Sequence, residues 1–108
     1  MWIFTPRGFF SVVAHRDDPE LVLVRARAHE DLRKLIGVLG QIEILETPDG
    51  DYRWRTIVTR QAWTGALVLL AAEIDYPNFK DEVAHRQGYE RAGLYGEVWS
   101  VLRRLQKP

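Results

Sequence analysis

Two hydrophobic periodicities alternate along this chain, and their order limits the folds that it can adopt. Residues 9–15 and 21–27 have the aromatic, β-branched and alternating character of strands. Residues 30–39 instead repeat apolar side chains at intervals of three and four, which is the period of a helix. The first third of the chain is therefore predicted to form strand, strand and helix.

The same order recurs in the middle of the chain. Strands are predicted at 42–46 and 52–58, on either side of a Pro-Asp-Gly sequence that strongly favours a turn. Thr59 can then cap a helix that runs to residue 74, and Pro77 prevents that helix from continuing. The second pair of predicted strands is therefore also followed by a helix.

The remaining residues, 80–106, are predicted to be helical in two pieces. Three glycines weaken the middle of this region, because glycine loses more backbone entropy in a helix than other residues do. They are Gly88, Gly93 and Gly96.

This order predicts an α+β fold, specifically a permuted ferredoxin-like fold. Strand, helix, strand, strand and helix make up most of the ferredoxin-like arrangement. Residues 9–15 can supply the missing edge strand by pairing with 21–27. We therefore expect a four-stranded, largely antiparallel sheet (ββαββα plus a C-terminal helix), with two helices on one face. Residues 2–4 would extend the first strand or add a short edge. A length of 108 residues is typical of a single domain, 1–108.

The predicted core combines the apolar faces of the two helices with one side of the second strand. Its members are Val24, Leu32, Leu35, Ile36, Trp63, Leu67 and Leu70.

Composition excludes several classes of function. The 15 basic and 15 acidic residues balance, so there is no overall attraction to nucleic acid or to an anionic membrane. The lack of cysteine excludes thiol nucleophiles, disulfides and cysteine-based metal sites. No apolar run reaches the roughly 18 residues that span a bilayer. We expect a cytoplasmic bacterial protein with no catalytic residue, metal or cofactor and no membrane association, and the balanced charge disfavours a nucleic-acid partner.

The densest polar cluster is His15-Arg16-Asp17-Asp18. It could be an acid–base or metal-binding corner, or a solvated hairpin turn. The turn is favoured, because Asp17, Asp18 and Pro19 are residue types that supply turn geometry.

Strand alternation predicts an arginine face on the sheet. It places Arg25, Arg27, Arg53 and Arg55 on the side opposite the helices, on neighbouring strands. Three interpretations remain open. The face could bind phosphate or nucleic acid, or it could form a dimer interface. The C-terminal helix could also cover it and pair Glu90 and Glu97 with the arginines.

A second candidate surface is the segment 75–81, which carries Tyr76, Asn78, Phe79 and Lys80 between two predicted helices. It could be a recognition loop. It could equally be a structural turn in which Asn78 caps the next helix and the aromatic rings fill the core. The structural interpretation is favoured, because acids follow Asn78 in the first turn of that helix.

Four stretches of the chain resemble a family of small bacterial and phage proteins of unknown function. They are Met-Trp-Ile-Phe-Thr-Pro-Arg-Gly-Phe-Phe-Ser-Val-Val at 1–13, Leu-Val-Arg-Ala-Arg at 23–27, Asp-Tyr-Pro-Asn-Phe-Lys-Asp-Glu-Val at 75–83 and Tyr-Gly-Glu-Val-Trp-Ser-Val-Leu at 95–102. The resemblance implies an intact small domain from a bacterial source, and it implies no activity, cofactor or catalytic residue.

Together these patterns predict a non-enzymatic protein-interaction or regulatory domain that binds a protein partner or itself, as a homodimer. Its contact surface would be the arginine face or the 75–81 turn. The alternative is a binder of an anionic small ligand or nucleic acid through the same arginines.

Overall fold

A computed structural model describes residues 1–106 of the chain, and residues 1–75 contain an antiparallel sheet. The strands are β1 (Trp2–Thr5), β2 (Gly8–Ala14), β3 (Leu21–Ala26), β4 (Leu45–Glu46) and β5 (Trp54–Thr59). Their order across the sheet is β1-β2-β3-β5-β4, and every neighbouring pair is antiparallel.

The α+β class and the predicted strand pairings are confirmed, but the sheet has five strands instead of four. Residues 2–5 do not extend the next strand. They form a separate edge strand, because the chain turns at residues 6–7 and β1 pairs back along β2. The predicted strand at 42–46 is reduced to the two residues of β4.

Helices α1 (His29–Arg33), α2 (Ile36–Leu39) and α3 (Arg60–Ala72) complete the first of two compact units, Met1–Asp75. The second unit begins at Tyr76 and contains α4 (Phe79–Gln87), α5 (Tyr89–Leu102) and a 3₁₀ helix (Arg103–Leu105). That the whole chain behaves as one domain stays a prediction.

The predicted continuous helix at 30–39 is wrong, since α1 and α2 are separated at Lys34 and Leu35. The backbone N–H of Leu35 bonds to the carbonyl of Leu32, three residues back, so the helix tightens at this point. The break leaves Leu35 fully buried and turns the next side chain, Ile36, outward to 36% exposure. The prediction of Ile36 as a core residue is therefore wrong.

The other helix boundaries follow local capping chemistry. Thr59 caps α3 as predicted, its side-chain oxygen accepting a hydrogen bond from the backbone N–H of Ala62 at 3.0 Å. The helix ends at Ala72 instead of residue 74. The C-terminal helical region divides into two pieces as predicted, at Gly88, whose φ of +99° suits glycine.

One core joins the sheet to α1 and α3. The contributing sheet residues alternate along their strands and so share one face. Because the buried residues of both helices belong to the same cluster, the two helices lie on the same face of the sheet, as predicted. The cluster contains Phe10, Val12, Val22, Val24, Ala26, Leu32, Leu35, Trp63, Ala66 and Leu70. The remaining predicted core residue, Leu67, is only partly buried at the edge of this cluster.

A buried polar corner holds the β1–β2 turn against the helices. The Asp31 carboxylate, 4% exposed, accepts a hydrogen bond from the backbone N–H of Phe9 at 3.1 Å. Arg7 donates from Nε to Glu73 at 3.0 Å and also bonds the carbonyl of Lys34. The hydrogen bond to Glu73 raises the pKa of the Arg7 guanidinium above its usual value. These contacts connect segments that are far apart in sequence.

No helix within residues 1–106 combines the length and the hydropathy of a bilayer-spanning segment.

Candidate functional site: the arginine face

The arginine face is the side of the sheet opposite α1 and α3. Directly opposed residues of antiparallel strands point to the same side, so the register defines its rows. One row crosses all five strands and contains Trp2, Ser11, Arg25, Arg55 and Leu45. The adjacent row contains Val13, Leu23 and Ile57. The predicted placement of Arg25 and Arg55 on this face is confirmed.

Apolar side chains on this face are accessible. Trp2 is 71% exposed, Ile57 is 43% exposed and Val13 is 36% exposed. Scattered exposed apolar residues are normal on protein surfaces, but here Val13 and Ile57 flank Leu23 in one row of a sheet. The face therefore presents a contiguous apolar row beside its arginines.

Tyr52 organises two of the arginines. The guanidinium carbons of Arg25 and Arg27 each lie 4.7 Å from the centroid of the Tyr52 ring, which is 4% exposed. At this distance the electron-rich ring attracts each cation. Arg25 also donates from Nη2 to Ser11 Oγ at 2.8 Å. Two contacts thus fix Arg25 in one orientation.

The ion pairs of residues 1–75 do not include the arginines of this face. Arg25, Arg27 and Arg55 form no ion pair with an acid of residues 1–75. The Nε atoms of Arg25 and Arg55 are buried and have no hydrogen-bond partner in the described part of the chain. Buried donors without partners are uncommon in folded proteins, since each one loses its hydration without compensation.

Arg25 and Arg55 are also direct cross-strand partners. The Cα atoms of such pairs are about 4.5–5.5 Å apart, and like charges placed opposite each other destabilise a sheet. A guanidinium group presents planar, paired N–H donors that match a carboxylate or a phosphate. The pair is chemically suited to bind an oxyanion.

The predicted place of Arg53 on this face is wrong. Its Nε donates to Glu46 at 2.8 Å and its guanidinium lies 5.5 Å from the ring of Trp54, whose strand position belongs to the helix-covered side. Tyr52 occupies the arginine face instead. The alternation fails here because β5 begins only at Trp54, and residues 51–53 form a bend.

An aromatic group missed by sequence reasoning borders the arginines. Phe9 stacks on Phe4 with centroids 4.5 Å apart, meets the edge of Trp2 at 5.9 Å and lies 6.5 Å from Tyr52. The alternation of Trp2 and Phe4 with Ile3 could have indicated this aromatic group if residues 2–4 had been treated as a separate strand. The aromatic group makes the arginine face continuous with the β1 edge.

The second candidate surface, the 75–81 turn, has the predicted cap. Asn78 Oδ1 accepts a hydrogen bond from the backbone N–H of Asp81 at 2.9 Å. Phe79 stacks on the buried Tyr95 with centroids 5.9 Å apart, and Tyr76 lies 6.2 Å from Phe79. The Lys80 ammonium sits 4.8 Å from the Trp99 ring. Each predicted residue of this turn thus has a structural contact within 76–106, which favours the structural interpretation.

The His15 cluster is a hairpin turn closed by its own side chains. His15 Nδ1 accepts hydrogen bonds from the backbone N–H groups of Asp17 at 3.1 Å and Asp18 at 3.2 Å. Asp18 in turn accepts one from the N–H of Glu20 at 2.9 Å. The part of the chain that the structure describes contains no group of three or more His, Asp or Glu side chains that could hold a metal ion.

Comparison with known proteins adds no assignment to this geometry: no protein-family model, no curated protein and no solved structure matches the chain. The resemblance to small bacterial and phage proteins stays a prediction.

Proposed function

We propose that this protein is a non-enzymatic interaction domain and that the arginine face is its contact surface. The observation that carries the proposal is an accessible apolar row beside arginines that pair with no acid of residues 1–75. Interface centres in proteins are enriched in Trp and Arg, and this face presents the exposed Trp2 and the partly exposed Arg25.

The partner is a different protein or a second copy of this chain. A second copy on a two-fold axis would apply the same patch to itself. The apolar row formed by Val13, Leu23 and Ile57 supports contact with either partner, because it would lose water on association.

A second candidate function is the binding of an anionic small ligand or nucleic acid. The guanidinium groups of Arg25 and Arg55 favour it, since both side chains are partly exposed, pair with no acid of residues 1–75 and carry Nη donors that match phosphate oxygens. The zero net charge of the chain supplies none of the general attraction that nucleic-acid binding draws on. This candidate therefore ranks second.

We also infer that the sheet is a permuted ferredoxin-like sheet with an added edge strand. The order β2-β3-β5-β4, its antiparallel pairing and the two helices on one face support this description. In it, β1 widens the arginine face by one strand.

Photo-crosslinking from the arginine face tests the proposed function. A photoreactive p-benzoylphenylalanine is introduced in the full chain in place of Ile57, and in a control in place of Val68, which is 64% exposed on α3. After irradiation in the native host, we expect a discrete adduct from the Ile57 position and none from Val68. Mass spectrometry of the adduct distinguishes a second copy from a different protein.

Adducts at Val68 alone, or at neither position, would contradict the proposal that the arginine face is the contact surface.

A further inference from the structure

We propose that Arg25 and Arg55 form a clamp for carboxylates, and that the partner is an acidic protein segment which alternates acidic and apolar side chains. This inference deepens the proposed function and rests on it. It names the chemistry that the arginine face recognises.

The clamp starts from two arginines that the fold does not neutralise. Arg25 and Arg55 each bury an Nε–H that no described residue accepts. Within residues 1–106, no other buried side-chain nitrogen or oxygen lacks a hydrogen-bond partner, and Ser11, for example, accepts from Arg25. Because both arginines are partly exposed, their Nη groups, and not the buried Nε groups, are the donors that a carboxylate from outside would meet.

Arg25 and Arg55 carry like charges at directly opposed positions of β3 and β5, an arrangement that disfavours strand pairing. A carboxylate between the two groups replaces repulsion with two attractive, charge-assisted hydrogen bonds. The ligand is therefore an anion with at least two acceptor oxygens.

Arg25 is preorganised before any ligand binds. Ser11 and the ring of Tyr52 already hold the Arg25 guanidinium, and the same ring holds Arg27. Side chains that are fixed before binding lose less rotational entropy when the ligand arrives. Binding at the Arg25 half of the clamp therefore costs little side-chain entropy.

The apolar row beside the clamp identifies the partner as a protein segment. Next to the clamp lies the apolar row of Val13, Leu23 and Ile57, which can receive an aliphatic side chain adjacent to the carboxylate. A nucleic acid would need exposed rings for its bases to stack on. Tyr52 is 4% exposed beneath the arginines, and of the four aromatic rings on this face Trp2 alone is largely exposed.

A second copy is disfavoured by the same charges. In a two-fold dimer through this face, the unpaired arginines of one copy would approach those of the other. Like-charge juxtaposition across an interface costs several kcal/mol. Charge complementarity therefore points to a separate acidic segment.

Fluorescence anisotropy with two labelled seven-residue peptides tests the clamp. One peptide alternates Glu and Leu, and the other has Gln in place of every Glu. We expect the full native chain to bind the Glu peptide at least about tenfold more tightly than the Gln peptide, because the carboxylate contacts are lost in the latter.

Two double variants separate the clamp from general charge. Arg25→Met/Arg55→Met should abolish the preference for the Glu peptide. Arg33→Met/Arg53→Met removes the same charge from two exposed arginines that pair with Glu30 and Glu46, and should keep the preference within about twofold of native. Circular dichroism verifies that both variants remain folded.

Several outcomes would overturn the carboxylate clamp. They are equal binding of both peptides, equal losses in the two double variants, or a single-stranded oligothymidine that binds more tightly than the Glu peptide and depends on Arg25 and Arg55. If Ile57 still forms crosslinks in that case, the arginine face remains an interface and only the acidic partner is wrong. If the native chain prefers the Glu peptide but position 57 forms no crosslinks, the carboxylate clamp stands and the proposed function is rejected.

Discussion

Leu35→Ala is expected to lower the free energy of unfolding by about 2–5 kcal/mol, the usual cost of truncating a buried leucine. Leu35 is fully buried in the core between the sheet, α1 and α3. The neighbouring Ile36→Ala should cost much less, about 1 kcal/mol or below, because Ile36 is 36% exposed. Urea unfolding followed by circular dichroism measures both variants.

The comparison tests the break between α1 and α2. If Ile36→Ala were as costly as Leu35→Ala, both residues would face the core, as a continuous helix at 30–39 requires. That result would contradict the interrupted helix.

Gly8→Ala is expected to destabilise the first unit by about 2–4 kcal/mol, the sum of backbone strain and a disturbed buried hydrogen bond. Gly8 has a φ of +155°, and a Cβ at this position would lie 2.5 Å from the carboxyl carbon of Asp31. Asp31 would have to move away and would lose its bond to the N–H of Phe9.

Gly65→Ala is the matched control. Gly65 lies inside α3 and a Cβ there would meet nothing within 4 Å. Alanine should stabilise this helix by about 0.5–1 kcal/mol, since it loses less backbone entropy than glycine. A Gly8→Ala variant as stable as the native chain in thermal and urea unfolding would contradict the buried Asp31 corner.

The features predicted correctly from the sequence depend on local chemistry. The alternation of β3 fixes the side of the sheet on which Arg25 lies. The caps at Thr59 and Asn78 use side chains within three residues of the N–H groups from which they accept hydrogen bonds. The division at Gly88 likewise follows from one residue type. Signals of this kind are complete within a few positions of the chain.

The features that were missed depend on contacts between distant segments. Arg7 and Glu73 are 66 positions apart, and no pattern around either residue announces their ion pair. The positions of Tyr52 and Arg53 were exchanged because the strand begins later than its alternation suggests. Where a strand starts is set by pairing with β3 and β4, and a one-residue change of phase sends each side chain to the opposite face.

Thermal melting of the native chain and of Arg25→Met/Arg55→Met, each with and without the Glu–Leu peptide, tests the central claim most directly. Groups kept for binding often weaken the fold that carries them. Without peptide, the variant should melt close to the native temperature, because the removal of like charges at opposed positions and of two unpaired donors offsets the lost contacts of Arg25 with Ser11 and Tyr52. Saturating peptide should raise the melting temperature of the native chain alone. A variant that melts well below the native chain without peptide, and a native chain that the peptide does not stabilise, would show that these arginines serve the fold and not a partner.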